Sequence, residues 1–141
     1  MKVWLDCYGP KYYNPCMNRE FIELPAFTRR IQQGWLSDEE LRSLQLAILR
    51  RRGRIDRVPE FSGLLKIRNP NPRRQRGVRG GYRVYFVDYP DWGVIVLILI
   101  TDKELQSDLS ESQRKSLRES LAGLRKDVEQ YVKGFQPRRR I

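Results

Sequence analysis

The 141-residue chain contains no histidine and only two cysteines, Cys7 and Cys16. The first absence removes every mechanism that needs an imidazole, including the Ser-His-Asp triad, the His-ligated zinc hydrolase and the histidine-based ribonuclease. The second excludes a four-thiolate zinc site and a disulfide framework; a single Cys7–Cys16 bridge is the minor alternative. Long hydrophobic runs are missing as well. The longest, Val94 to Ile100, spans seven residues, far short of the ~20 needed to cross a bilayer as a helix. The segment Met1 to Cys7 lacks the continuous apolar stretch of a secretory leader. These absences predict a protein of the reducing cytoplasm, with no membrane partner, no metal and no cofactor.

What is present is basic charge, unevenly placed. The chain holds 28 Lys and Arg against 17 Asp and Glu, a formal net charge of +11. Twelve of the basic residues fall between Arg50 and Arg83, where the acids are Asp56 and Glu60, so this quarter of the chain carries +10. A solvated surface usually mixes signs, and a block of one sign points to a polyanionic partner. An apolar fraction of 40% with 11% aromatics is enough for a packed core, and the length fits one domain.

Residues 1–19 read as an irregular N-terminal extension, with turn signals at Tyr8-Gly9-Pro10 and Asn14-Pro15. Phe21 to Leu24 is a short strand. Pro25 opens a helix whose apolar face is Phe27, Ile31 and Trp35. Ser37-Asp38-Glu39-Glu40 is a capping box flanked by a Leu36–Leu41 staple, and the helix it starts runs into Arg50-Arg51-Arg52. Strands follow at Leu64 to Arg68, Tyr82 to Val87 and Val94 to Thr101. The last two form an antiparallel hairpin, and the second is a central strand covered on both faces. Between the first two of these strands lies the Arg73 to Gly81 loop. A second capping box, Ser110 to Gln113, starts one terminal helix with Leu117, Leu121, Leu124, Val128 and Tyr131 on its seam. That helix is expected to end near Gly134, before Pro137, leaving 135–141 as a basic tail. The fold class is α+β: two N-terminal helices packed on an antiparallel-rich sheet of about four strands, with a C-terminal helix.

Without histidine, RNA can still be cut by its own 2′-hydroxyl. The step needs a proton acceptor, stabilisation of the pentacovalent phosphorus and an acid for the leaving oxygen. Arginine and lysine supply these where cations crowd a lysine toward neutrality. Lys66 and Arg68 lie two apart on one strand and therefore share a face, as do Arg83 and Tyr85 on the next. Lys103 follows the aliphatic strand. A solvent-facing sheet surface is the plain alternative for Lys66 and Arg68. Arg83 follows Gly80-Gly81, a pair that permits close backbone approach. Arg73, Arg74, Arg76 and Arg79 suit phosphate contacts that position RNA without reading its sequence. Tyr82, Tyr85 and Trp92 are candidates for stacking on bases, with ordinary packing as the alternative. A metal-dependent nuclease built on Asp88, Asp91 and Asp102 is a distant reading, since no ligand spacing supports it.

Several segments in order carry a family resemblance. They are Phe21-Ile22-Glu23-Leu24-Pro25-Ala26-Phe27, the Ser37–Glu40 start, Gly63-Leu64-Leu65-Lys66-Ile67-Arg68, Gly80-Gly81-Tyr82-Arg83-Val84-Tyr85-Phe86, Leu97 to Glu104, and the Asp108-Leu109-Ser110 entry to the last helix. Over roughly residues 20–132 the chain resembles the RelE/HigB toxins of bacterial toxin–antitoxin systems, within the RelE/ParE superfamily. The resemblance implies a RelE-like toxin domain over 20–134 and a ribosome-dependent mRNA endonuclease that shuts down translation. Lys66 and Arg68 then match basic second-strand positions, Arg83 the third-strand arginine on the phosphate, and Lys103 the basic residue closing the fourth strand. The implied partners are the ribosome with its mRNA and a cognate antitoxin. Such antitoxins often carry a helix-turn-helix that binds operator DNA. Many relatives have an aromatic where this chain has Thr101, and an acid near Leu105. A tyrosine that some carry near Leu109 is missing, with Tyr85 as its substitute. The alternatives are a non-catalytic or gyrase-targeting ParE-like toxin and a basic nucleic-acid-binding module.

Overall fold

The computed structural model describes residues 2–4, 19–51, 54–70 and 81–139. It is α+β, with β1 (Lys2–Trp4), β2 (Glu20–Glu23), α1 (Pro25–Gln32), α2 (Asp38–Leu49), β3 (Ile55–Arg57), β4 (Leu65–Asn69), β5 (Tyr82–Tyr89), β6 (Val94–Asp102), α3 (Glu111–Ala122) and α4 (Leu124–Arg139). The strands form one six-stranded mixed sheet in the order β1-β2-β6-β5-β4-β3. β2 runs parallel to β6 and all other neighbours are antiparallel. Residues 1–107 and 108–141 are separate compact units.

The central strand is the one the sequence marks most plainly. All nine residues of β6 are buried, which only a strand covered on both faces tolerates and which its aliphatic run supplies. β5 pairs with it as a hairpin closed by a 3-10 turn, Pro90–Trp92, and by Gly93 at φ 64. A register shift between Tyr85 and Phe86 leaves Ile98 as an extra residue on β6. One face of the sheet, with Ile67, Val84, Phe86, Ile95, Leu97 and Ile100, packs with Phe27 of α1 and Leu41, Leu44 and Ile48 of α2.

The helix starts follow their caps. Ser37 accepts from the Glu40 amide at 3.2 Å while the Glu40 carboxylate accepts from the Ser37 amide at 2.7 Å. Leu36 and Leu41 are both buried beside this start, as a staple requires. α1 begins at Pro25 without a side-chain cap and ends at Gln32, where Gly34 at φ 86 turns the chain. Trp35 therefore lies beyond the helix. It stacks on Tyr82 at 5.1 Å, with the Arg30 guanidinium 4.4 Å above it, and its carbonyl accepts from the Tyr82 hydroxyl at 3.1 Å. Tyr82 is thus a core residue and not a base-stacking one. In the second unit the Ser110–Gln113 box starts α3 with both of its hydrogen bonds.

Four expectations are corrected. The sheet has six strands and not about four, because β1 and β3, three residues each, were not anticipated. The N-terminal extension is accordingly not wholly irregular, since Lys2–Trp4 pairs with β2. The single terminal helix is two, divided at Gly123, whose backbone (φ −113) leaves the helical region; glycine there lowers the cost of the break. The second of these continues past Gly134 to Arg139. A Cβ at Gly134 would meet nothing within 4 Å and its φ is not positive, so this glycine is an ordinary helix position and no stop. Cys7 and Cys16 lie outside the described residues.

Two positions test this packing. Gln45 is 1% exposed and its Nε2 has no hydrogen-bond partner among the described residues. A buried donor left unmade costs about 1–3 kcal/mol, so Gln45→Met is expected to raise the urea midpoint with an unchanged m-value. A Cβ on Gly81 would sit 2.2 Å from the Asn69 carbonyl oxygen and 2.8 Å from the Pro70 Cα. Gly81→Ala is therefore expected to destabilise by about 1–3 kcal/mol in the same measurement.

Candidate functional site

The period of two along a strand and the register between strands decide which side chains meet. β4 and β5 pair with Lys66 opposite Tyr85 and Arg68 opposite Arg83. β5 and β6 continue these rows to Leu99 and Thr101. Ile67 and Val84, between them, point to the helix layer, so Lys66, Arg68, Arg83 and Tyr85 share the face turned away from it. The structure brings these four candidates together.

Arg83 is 8% exposed and Tyr85 5%, while Lys66 and Arg68 are half-buried. The Arg83 guanidinium donates to the Tyr82 carbonyl at 3.2 Å. Burial first, and then the charge of Arg68, hold its pKa below the ordinary guanidinium value; Tyr85 acts in the opposite sense. A guanidinium remains protonated at neutral pH all the same. Its pKa is lower in the folded chain, so this strain on stability lifts only as pH rises through that value, far above neutrality. At neutral pH two cations face each other across a strand pair, an arrangement that an anion between them would relieve.

Lys103 occupies a different place. It follows β6 directly, its amide donates to the Gly81 carbonyl at 3.1 Å, and its ammonium donates to the Ser107 carbonyl at 2.9 Å. It therefore stands at the end of the sheet where β5 begins, exposed and bonded within its own turn. Leu105 in that turn is 70% exposed. Gly81 explains its own presence: its missing Cβ lets the end of β4 approach. Arg73, Arg74, Arg76 and Arg79 lie outside the described residues.

The three aspartates do not converge. Asp88 faces Ile95 near the hairpin tip and is held by Arg19 and, at 3.5 Å, by Arg51. Asp91 is in the tip itself, and Asp102 faces Tyr82 at the far end, where its carboxylate accepts from the Glu104 amide at 2.9 Å. Trp92 pairs with Tyr89 in that tip at 5.4 Å. One residue went unanticipated. Asp56 of β3 lies directly opposite Lys66 on the side away from Tyr85 and is bonded to Arg54 at 3.2 Å. Only the pairing of β3, a three-residue strand, reveals it.

The face can bind a phosphate between guanidiniums and holds a lysine, a phenol and a carboxylate in one cross-strand row. No helix among the described residues is long and apolar enough to cross a membrane. Compared with models of known protein families, the chain matches none.

Removing one of the opposed cations is expected to help the fold. Arg68→Gln should raise stability by about 0.2–1 kcal/mol, the scale of a cross-strand pair. Thermal unfolding checks this; a drop of similar size would show that Arg68 is held by something other than its repulsion from Arg83.

Proposed function

We propose that the chain is a RelE/HigB-type toxin that cuts mRNA on the ribosome through the RNA's own 2′-hydroxyl and is neutralised by an antitoxin. The observation that carries this reading is the Arg68–Arg83 pair beside the Lys66–Tyr85 pair. It sets two guanidiniums opposite each other beside two side chains able to move a proton. The resemblance over residues 20–132 supports it independently of the geometry.

In this reading Arg68 and Arg83 hold the scissile phosphate and stabilise the charge that grows on its oxygens. The 2′-oxygen attacks phosphorus, the bond to the 5′-oxygen breaks, and a 2′,3′-cyclic phosphate and a 5′-hydroxyl result. Lys66 or Tyr85 takes the 2′ proton, and Lys103 gives one to the leaving oxygen once released from Ser107. Arg73, Arg74, Arg76 and Arg79 follow the RNA backbone.

The second reading, a toxin or nucleic-acid-binding module without catalysis, draws on two particular observations. Arg83 is almost wholly buried, and the Lys103 ammonium is bonded to its own turn. Thr101 and Leu105 stand where many relatives differ.

Mapping mRNA ends on translating ribosomes after induction separates the two. The nuclease produces new codon-phased ends and loses them, together with growth inhibition, in Arg83→Ala. Wild-type toxicity in that variant removes Arg83 from the chemistry. DNA damage with intact mRNA favours a gyrase poison.

A further inference from the structure

A second basic site lies at the edge of the sheet, on the other face. Arg50, Arg51, Arg54 and Arg57 are all exposed around the end of α2 and β3. The Arg54 charge is met by Asp56. Arg51 has φ 50, the one non-glycine residue at positive φ among the described residues. It stands just past the helix, where glycine is the usual occupant, and strained residues of this kind cluster at ligand sites. Its guanidinium reaches to 3.5 Å from Asp88 but stays two-thirds exposed.

That guanidinium borders a cavity of about 470 Å³ lined by Arg51, Ile55, Arg57 and Leu65. The register explains the lining. Arg57 lies opposite Leu65 and Ile55 opposite Ile67, so Ile55, Arg57 and Leu65 share the helix-side face. Asp56 is turned to the opposite face with Lys66. Among the described residues the cavity therefore has an aliphatic floor, two guanidiniums and no carboxylate in its lining. Its size falls in the ~300–1,000 Å³ typical of small-molecule sites.

We propose that this cavity binds one nucleotide unit, with its phosphate between Arg51 and Arg57 and its base against Ile55 and Leu65. A guanidinium fork matches phosphate oxygens in pairs, and its plane can also stack on a base. Inorganic phosphate would use the arginines but not the floor; a nucleotide uses both. The site is separate from the Arg68–Arg83 face and goes beyond the cleavage reading, because it binds whether or not the chain cuts RNA.

The test titrates the full chain with ribonucleoside 5′-monophosphates, with a 5′-phosphorylated 2′-deoxy oligonucleotide, which cannot be cleaved through a 2′-hydroxyl, and with inorganic phosphate. Saturable nucleotide binding is expected, at least tenfold tighter than phosphate. It should weaken about tenfold in Arg57→Gln and severalfold in Ile55→Thr, and stay unchanged in Lys126→Gln, which removes an exposed charge on α4. Both Arg57 and Ile55 lie on an edge strand, and matched unfolding curves confirm that the variants fold. Binding of the monophosphates assigns a free nucleotide as ligand; binding of the oligonucleotide alone assigns a unit of a polymer. The proposal is overturned by phosphate binding as tightly as nucleotide, by no saturable binding, by Arg57→Gln binding like the parent, or by Lys126→Gln weakening binding as much as Arg57→Gln. Capture of an acidic peptide in place of all three ligands overturns it too.

Discussion

Strand β5 is held along both edges, by β4 on one side and β6 on the other, and its register there decides what the sheet can do. On the helix side the register stacks Ile67, Val84 and Ile100 into the core. On the opposite side the same register sets Arg68 against Arg83 and Lys66 against Tyr85. A slip of one residue would send the cations into the α1–α2 core and the aliphatic residues out of it. The core therefore enforces the site: the apolar rows cannot be satisfied without bringing the basic rows together. Gly81 belongs to the same constraint, since its bare backbone lets the end of β4 close against the start of β5.

How much of this the sequence discloses depends on how local each cause is. Both capping boxes are visible because a Ser and a Glu or Gln three residues later carry the whole interaction. The aliphatic run at 94–100 announces a strand buried on both faces. The shared face of Lys66 and Arg68 follows from counting by two. The opposition of Arg68 and Arg83 does not, because the register between two strands is fixed by how their apolar faces meet the core and not by spacing within either one. β1 and β3 are three residues each, too short for periodicity to register, and β1 finds its partner across fifteen intervening residues. With β3 hidden, so were Asp56 as the neighbour of Lys66 and Arg57 as the neighbour of Leu65. The left-handed backbone at Arg51 leaves no trace in composition, since arginine is not the residue that such a position usually selects.

The two basic sites share an energetic character. At Arg68 and Arg83 like charges face each other and burial weakens the grip of one guanidinium on its proton. At Arg51 the backbone holds a conformation that L-residues disfavour. Both are local costs carried by a fold whose stability comes from elsewhere, chiefly the α1–α2 layer and the wholly buried β6. A bound phosphate offsets the first through its charge. Held by the fork of Arg51, it also gives a reason for arginine where glycine would be easier.

The position of the candidate site along the sheet has a physical cause as well. β6 is aliphatic from Val94 to Ile100, and the middle of a strand buried on both faces cannot take a charge without a costly desolvation. Polar groups are confined to where that run stops, at Thr101, Asp102 and Lys103. The antiparallel hairpin brings that end of β6 beside the start of β5, which puts Thr101 beside Arg83 and the Lys103 amide on the Gly81 carbonyl. The next antiparallel pairing brings the far end of β4, with Arg68 and Asn69, to the same edge. Arg73, Arg74, Arg76 and Arg79 lie in sequence between β4 and β5. The hydrophobic run that builds the core thus excludes charge from the centre of the sheet and gathers Arg68, Arg83, Asp102 and Lys103 at one end.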